Sequence, residues 1–223
     1  MLMKTVEADF EYRRLTTPRA AAIAGILFGV LFSASLILLR SAIPENPFSS
    51  PEWIEQGARR ITFALELMPF AGIAFLWFIG VVRDRLGNFE DQLFSTVFFG
   101  SGLLFLAMVF ISMAIAGGLI AGSQLDPEII YDNQVIYFSR AIMFQLSNVY
   151  ALRMAGVFMI SLATIWLRTG IYSRWMVLLT YLLALILLLI INFSLWVVLI
   201  FPVWVVIISI EVLVVRFRQK ASG

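Results

Sequence analysis

The chain has no histidine and no cysteine among its 223 residues. Without imidazole or thiolate, bis-imidazole haem ligation, His- or Cys-ligated zinc, a histidine general base and a disulfide framework are all excluded. Lysine is nearly as scarce: Lys4 and Lys220 are the only two, both outside the apolar runs. That removes a retinal Schiff base, which needs a lysine within the membrane, and a Walker phosphate loop. No Asp falls within an apolar run and no G-x-S-x-G elbow occurs. Catalysis would have to run on Glu, Tyr, Ser or Arg. The sequence therefore points away from an enzyme, and no cofactor or metal is expected.

Charge is the other shortage. Only 13% of residues are charged and 61% are hydrophobic, with a mean hydropathy of +0.96. A hydrocarbon core of roughly 30 Å takes about 20 apolar residues in a helix rising 1.5 Å per residue. Six runs meet that length or approach it: 20–39, 61–82, 93–121, 141–167, 175–191 and 195–215. They are continuous, whereas barrel strands alternate over about 10 residues. The expectation is an all-α integral membrane bundle of six transmembrane helices, one domain over 1–223. The fifth and sixth runs are separated only by Asn192-Phe193-Ser194. Joined, they would make a helix of about 60 Å, so a tight hairpin is expected there, with Pro202 bending the start of the sixth span.

If the spans alternate, one side carries Lys4, Arg13, Arg14, Arg19, Arg83, Arg85, Arg168, Arg174, Arg216, Arg218 and Lys220. The other carries Arg40, Arg59, Arg60 and Arg140. Eleven against four is a positive-inside bias that puts both termini in the cytoplasm. The first run exceeds a signal-peptide core and follows Glu7, Asp9 and Glu11, so a retained signal-anchor helix is expected. The basic residues are scattered along the chain, which argues for topology signals and against nucleic-acid binding. The expected surroundings are a lipid bilayer.

Polar residues inside the runs are few and need a reason. Arg153 lies near the middle of the fourth run, and a central Arg costs about 2.5–3.5 kcal/mol on insertion scales. Glu66, in the second run, precedes Arg83 by 17 residues, and Arg153 precedes Arg168 by 15. If those two arginines mark the same depth, Glu66 and Arg153 differ by only about 3 Å and form an ion pair inside the bundle. Pro69 frees the carbonyl of Leu65 beside Glu66. Gln145, Arg153, Gly156 and Thr164 fall within about 100° of one another on a 3.6-residue helix, with Asn148 about 60° to one side. This seam is either interhelical glue or a solute pathway. Glu211, with Arg216 five residues on, marks the inner mouth of the sixth span, pairing or snorkelling.

Small residues recur at every fourth position as Ala21, Gly25, Gly29 and Ser33 in the first run, and as Ala114, Gly118 and Gly122 in the third. Both fit the small-xxx-small rule for close helix approach, within one chain or in a homodimer or membrane complex. Ser50-Pro51-Glu52 and Asp126-Pro127-Glu128 read as helix starts. They predict a short interfacial helix near 51–56 and an outward extension of the fourth span. Trp53, Tyr131 and Tyr137 suit the headgroup level.

Two resemblances follow. Gly80-Val81-Val82-Arg83-Asp84-Arg85-Leu86-Gly87 is similar to the G-x-x-x-D-R-x-G loop of major-facilitator transporters. There the Asp and Arg steady a joint that shifts during transport, which would give Gly80, Asp84, Arg85 and Gly87 that role. Here the usual basic pair is replaced by Asn88-Phe89-Glu90-Asp91. The segments 17–27 and 167–175 resemble uncharacterised six-span bacterial membrane proteins, which implies that fold and a bacterial origin, hence the bacterial cytoplasmic (inner) membrane, and supplies no activity. Three roles stay open: a non-enzymatic structural or accessory protein, a small solute or ion transporter using Glu66 and Arg153, and a lipid-acting enzyme holding a headgroup at Arg153 and Tyr150.

Overall fold

The computed structural model describes residues 2–44, 52–86, 92–125, 133–170, 172–189 and 195–221. Among them the chain is all-helical. α1 (Leu2–Ala42), α2 (Trp53–Leu86) and α3 (Gln92–Leu125) are followed by α4 (Asn133–Phe144), which passes through a π-helical stretch (Gln145–Ala151) into α5 (Leu152–Thr169). α6 (Arg174–Leu189) and a 3₁₀ segment (Leu195–Leu199) lead to α7 (Ile200–Ala221).

Five helical segments are long and apolar enough to cross a membrane: Ala20–Ala42, Trp53–Arg83, Leu93–Leu125, Gln134–Thr169 and Trp196–Val214. The fifth apolar helix in chain order, Arg174–Leu189, is shorter, with 16 residues, about 24 Å of rise. The surface is apolar on every one of these helices: Ile23 and Val30, Phe70 and Trp77, Leu104 and Ile111, Phe138 and Leu167, Leu182 and Leu185, Val203 and Ile207 are all exposed. A belt of that extent belongs to a membrane protein.

Some boundaries differ from the sequence reading. α2 runs unbroken from Trp53, so the separate interfacial helix expected near 51–56 is merged with the second span; Ser50 and Pro51 lie outside the described residues. The fourth helix begins at Asn133, ahead of its apolar run; Asp126, Pro127, Glu128 and Tyr131 lie outside the described residues. So does the Asn192-Phe193-Ser194 hairpin. The sixth span opens with the 3₁₀ segment, and Pro202 sits in the first turn of α7, three residues past it. α5 stops at Gly170, whose φ of 64° is left-handed and whose N–H closes on Trp166 O at 2.9 Å.

α1 packs on α2 and α7, α2 on α3, α3 on the α4–α5 helix, and α5 on α6. The centre is aromatic. The Phe75 ring lies 4.5 Å from Phe28, 5.5 Å from Phe105, 5.6 Å from Phe158 and 5.7 Å from Phe201. Phe201 also meets Phe105 at 4.7 Å and Trp204 at 5.9 Å. Five helices thus send rings to one point, in tilted and edge-to-face pairs that favour the ring quadrupole. Neutral hydrogen bonds tie the layers: Ser35 Oγ donates to Ala64 O at 2.6 Å, and Trp204 Nε1 to Thr180 Oγ1 at 3.1 Å.

The first small-residue stripe is used within the chain. A Cβ on Gly25 would fall on Ser209 Oγ, and one on Gly29 would fall on Val206 and 2.9 Å from Pro202 O. Ala21 is buried and Ser33 half-buried beside them. Gly29→Leu is therefore expected to push α1 off α7 and cost at least about 2 kcal/mol, read as a lowered unfolding midpoint in detergent. Gly80→Leu, at a glycine with open space around it, should leave that midpoint in place.

Candidate polar site at the π-helix

The fourth membrane-crossing helix is α-helical at both ends and π-helical over Gln145–Ala151. A π turn closes i→i+5 and takes one more residue than an α turn, so side chains on its two sides are rotated out of 3.6-residue register. Side-chain donors gather on the carbonyls of this stretch. Met143 O accepts from Ser147 Oγ at 2.7 Å and from buried Ser112 Oγ of α3 at 3.2 Å. Val149 O accepts from Arg153 Nη1 at 3.2 Å. Asn148 is 5% exposed; its Nδ2 donates to Phe144 O at 3.4 Å and to Ser147 Oγ at 3.2 Å. Its Oδ1 accepts from Arg40 Nη2 of α1 at 2.9 Å.

Arg40 begins a basic end of the bundle. Arg60 donates to Ser41 O at 2.8 Å, and Arg140 donates to Pro44 O at 2.6 Å with its guanidinium 5.4 Å from the Trp53 ring centre. Cations from α2 and α4 thus satisfy carbonyls at the C-terminal end of α1, where the helix dipole favours positive charge. The Trp53 indole N–H is buried with no partner. An apolar hollow lies beside it, lined by Ile43, Ile54, Ile61, Ile120 and Met143.

The expected Glu66–Arg153 pair does not form. Glu66 is exposed on α2, and Arg153, half-buried, donates to its own helix. The depth argument failed because Arg83 and Arg168 are not level. Arg83 stacks on Phe99 of α3 at 4.5 Å, whereas Arg168 stacks on Phe94 at 4.9 Å. Ile79 and Phe158 both close on Gly102. Glu66 stands thirteen residues before Ile79 and Arg153 only five before Phe158 on helices that run the same way, a separation of about 12 Å.

The rest of the seam also divides. Gln145 is exposed; Asn148 is buried against Arg40; Gly156 packs on Leu188 and Ala184 of α6. Thr164 Oγ1 donates to Ile160 O at 2.8 Å and shares a 2.7 Å hydrogen bond with Tyr181 of α6. Glu211 is half-buried with Oε2 enclosed and unpartnered; the side chain of Arg216 lies outside the described residues. Of the segment 80–87, Gly80 is exposed, and the side chains of Asp84 and Arg85 and all of Gly87 lie outside the described residues. Ala114 and Gly118 are exposed on α3 and Gly122 half-exposed. Among the described residues no three His, Cys, Asp or Glu side chains converge as a metal site would require.

Comparison with protein-family models, with curated proteins and with solved structures finds no match. Any function is therefore argued from the site alone. Sequence reasoning missed Arg40, which counted only as a topology signal. The clue was Asn148, an amide in a membrane span that needs a partner once it is buried.

Proposed function

We propose that this chain is a non-enzymatic, multi-pass protein of a bacterial cytoplasmic (inner) membrane, with a structural or accessory role. Six spans with both termini cytoplasmic fit the eleven-to-four charge bias. The short fifth apolar helix, α6, runs back along α5 from Thr164, level with Tyr181, to Gly156, level with Leu188. One observation carries the role. The rings of Phe28, Phe75, Phe105, Phe158 and Phe201 fill the bundle axis, and a packed aromatic centre offers a solute neither water nor polar ligands. The test is purification from native membranes. Stoichiometric recovery with another membrane protein supports an accessory role. Recovery of the chain alone, together with solute counterflow in vesicles rebuilt from it, would sink it.

A second reading, a small solute or ion transporter, draws on the π-helical stretch, since such insertions recur at functional sites. In that reading Arg40 and Asn148 hold the polar site instead of Glu66 and Arg153. Counterflow that persists in Phe201→Ala and is lost in Asn148→Leu would favour it.

A further inference from the structure

We infer that a second copy of this chain covers the outward face of α2, α3 and α4, with Glu66 of each copy hydrogen-bonded to Gln145 of the other. The inference starts from two polar side chains that face the wrong solvent. Glu66 lies near the middle of the crossing Trp53–Arg83. It is exposed between Phe63 and Phe70, themselves 48% and 62% exposed. Gln145 is exposed on the fourth crossing. Neither makes a hydrogen bond or ion pair among the described residues. In hydrocarbon there is no water to take their place, and a membrane-embedded acid calls for a partner.

The two stand near one depth. Each is thirteen residues outward of a side chain that meets Gly102, Ile79 for Glu66 and Phe158 for Gln145. Contacts farther out set the other bound: Leu65 touches the position of a Cβ on Gly117, and Ser112 Oγ reaches Met143 O, which puts Glu66 and Gln145 six residues of α3 apart. Along the bundle axis the two therefore lie within about 9 Å of each other, inside the joint reach of a Glu and a Gln. α3 lies between their helices. At that depth its outward surface carries Ala114 and Gly118, with exposed Ile111 one turn inward, and a Cβ on Gly118 would meet nothing within 4 Å.

A two-fold axis along the membrane normal preserves every residue's depth and reverses left and right. Set over α3, it places α2 of one copy opposite α4 of the other. Glu66 then faces Gln145 twice over, and the Gln145 amide donates to a Glu66 oxygen in each pair. The small residues of α3 let the two backbones close so that the polar pairs can meet. Arg153 cannot serve as this partner, because the same axis leaves it about 12 Å away in depth. The inference rests on the membrane-embedded reading and on neither of the two roles. A chain recovered from the soluble fraction would end that reading, whereas a monomer in the membrane ends only the pairing.

Because the chain lacks cysteine, Ala114→Cys places a single thiol beside the axis. Oxidation in lipid vesicles should give covalent dimers, and Ile37→Cys, exposed on α1, should not. In the Ala114→Cys background, Glu66→Leu or Gln145→Leu should each lower the dimer equilibrium constant about tenfold, the sum of two lost interhelical contacts. The double variant should lower it no further, and Glu66→Gln should keep the dimer. Photobleaching counts of labelled chains read the same equilibrium without a thiol. All these positions are exposed, so tryptophan-monitored unfolding should not change. A folded Ala114→Cys chain that stays monomeric, equal cross-linking through Ile37→Cys, or a dimer indifferent to both leucine substitutions would overturn the inference.

Discussion

Phe201→Ala is expected to lower the stability of the folded chain by about 3–5 kcal/mol. Its ring is fully buried and meets rings from α1, α2, α3 and α5: Phe28 at 6.1 Å, Phe75 at 5.7 Å, Phe105 at 4.7 Å and Phe158 at 5.5 Å. Between helices in lipid there is little hydrophobic driving force, because acyl chains are as apolar as the side chains. Association rests on van der Waals fit, interhelical hydrogen bonds and lipid entropy. A cavity the size of a benzyl group at the meeting point of five helices removes contacts that no lipid can restore, and the stiff neighbouring rings close it poorly. Denaturant unfolding in detergent micelles, followed by tryptophan emission, measures the loss. Phe70→Ala makes the same chemical change on α2, but Phe70 is 62% exposed. It should shift the midpoint by no more than about 0.5 kcal/mol. Equal losses from the two would mean that the rings report general hydrophobicity and not a packed centre.

The apolar runs made the helices legible from sequence, because a span must satisfy every backbone group internally and announces itself by length. The α1–α7 contact was half legible. Gly25 and Gly29 marked a place for close approach, but spacing could not say that Ser209, Val206 and Pro202 of the same chain would fill it. Ala114 and Gly118 have the same spacing and lie open, so the pattern alone does not separate an occupied face from a free one.

The polar site was not legible in the form expected, for two physical reasons. Helix register depends on side-chain packing. Phe158 and Ile79 both seat on Gly102 and slide α5 relative to α2, which leaves Arg168 on Phe94 and Arg83 on Phe99. Charges at helix ends are poor rulers because long arginines reach along the axis. The second reason is the π-helical stretch. A wheel drawn at 3.6 residues per turn groups Gln145 with Arg153, yet the insertion between them changes their relative facing. No residue type in Gln145–Ala151 announces that insertion. It becomes visible only when Met143 O and Val149 O are found holding side-chain donors.

Asn148→Leu is expected to cost about 2–3 kcal/mol, more than Arg40→Met at the other end of the same hydrogen bond. Neutral interhelical hydrogen bonds in membranes average only about 0.6 kcal/mol, since the alternative state also finds partners. The Arg40–Asn148 contact differs because one side is a cation. Removing the Asn148 carbonyl leaves a half-buried guanidinium without its acceptor among apolar neighbours, and an uncompensated charge is the expensive half of a broken pair. Removing the cation instead keeps both Nδ2 bonds, to Phe144 O and Ser147 Oγ, and strands only the neutral Oδ1, so Arg40→Met should cost about 1 kcal/mol. The double variant should then resemble Arg40→Met alone, because once the cation is gone Asn148→Leu has no charge left to strand. That is a coupling of about 2 kcal/mol between two positions 108 residues apart in sequence. The same unfolding assay reads all three variants. Equal costs for the two single variants, with simple additivity in the double, would show that water reaches the Arg40 guanidinium from that end of the bundle. The contact would then be a surface hydrogen bond and not the polar tie that fixes the π-helical segment against α1.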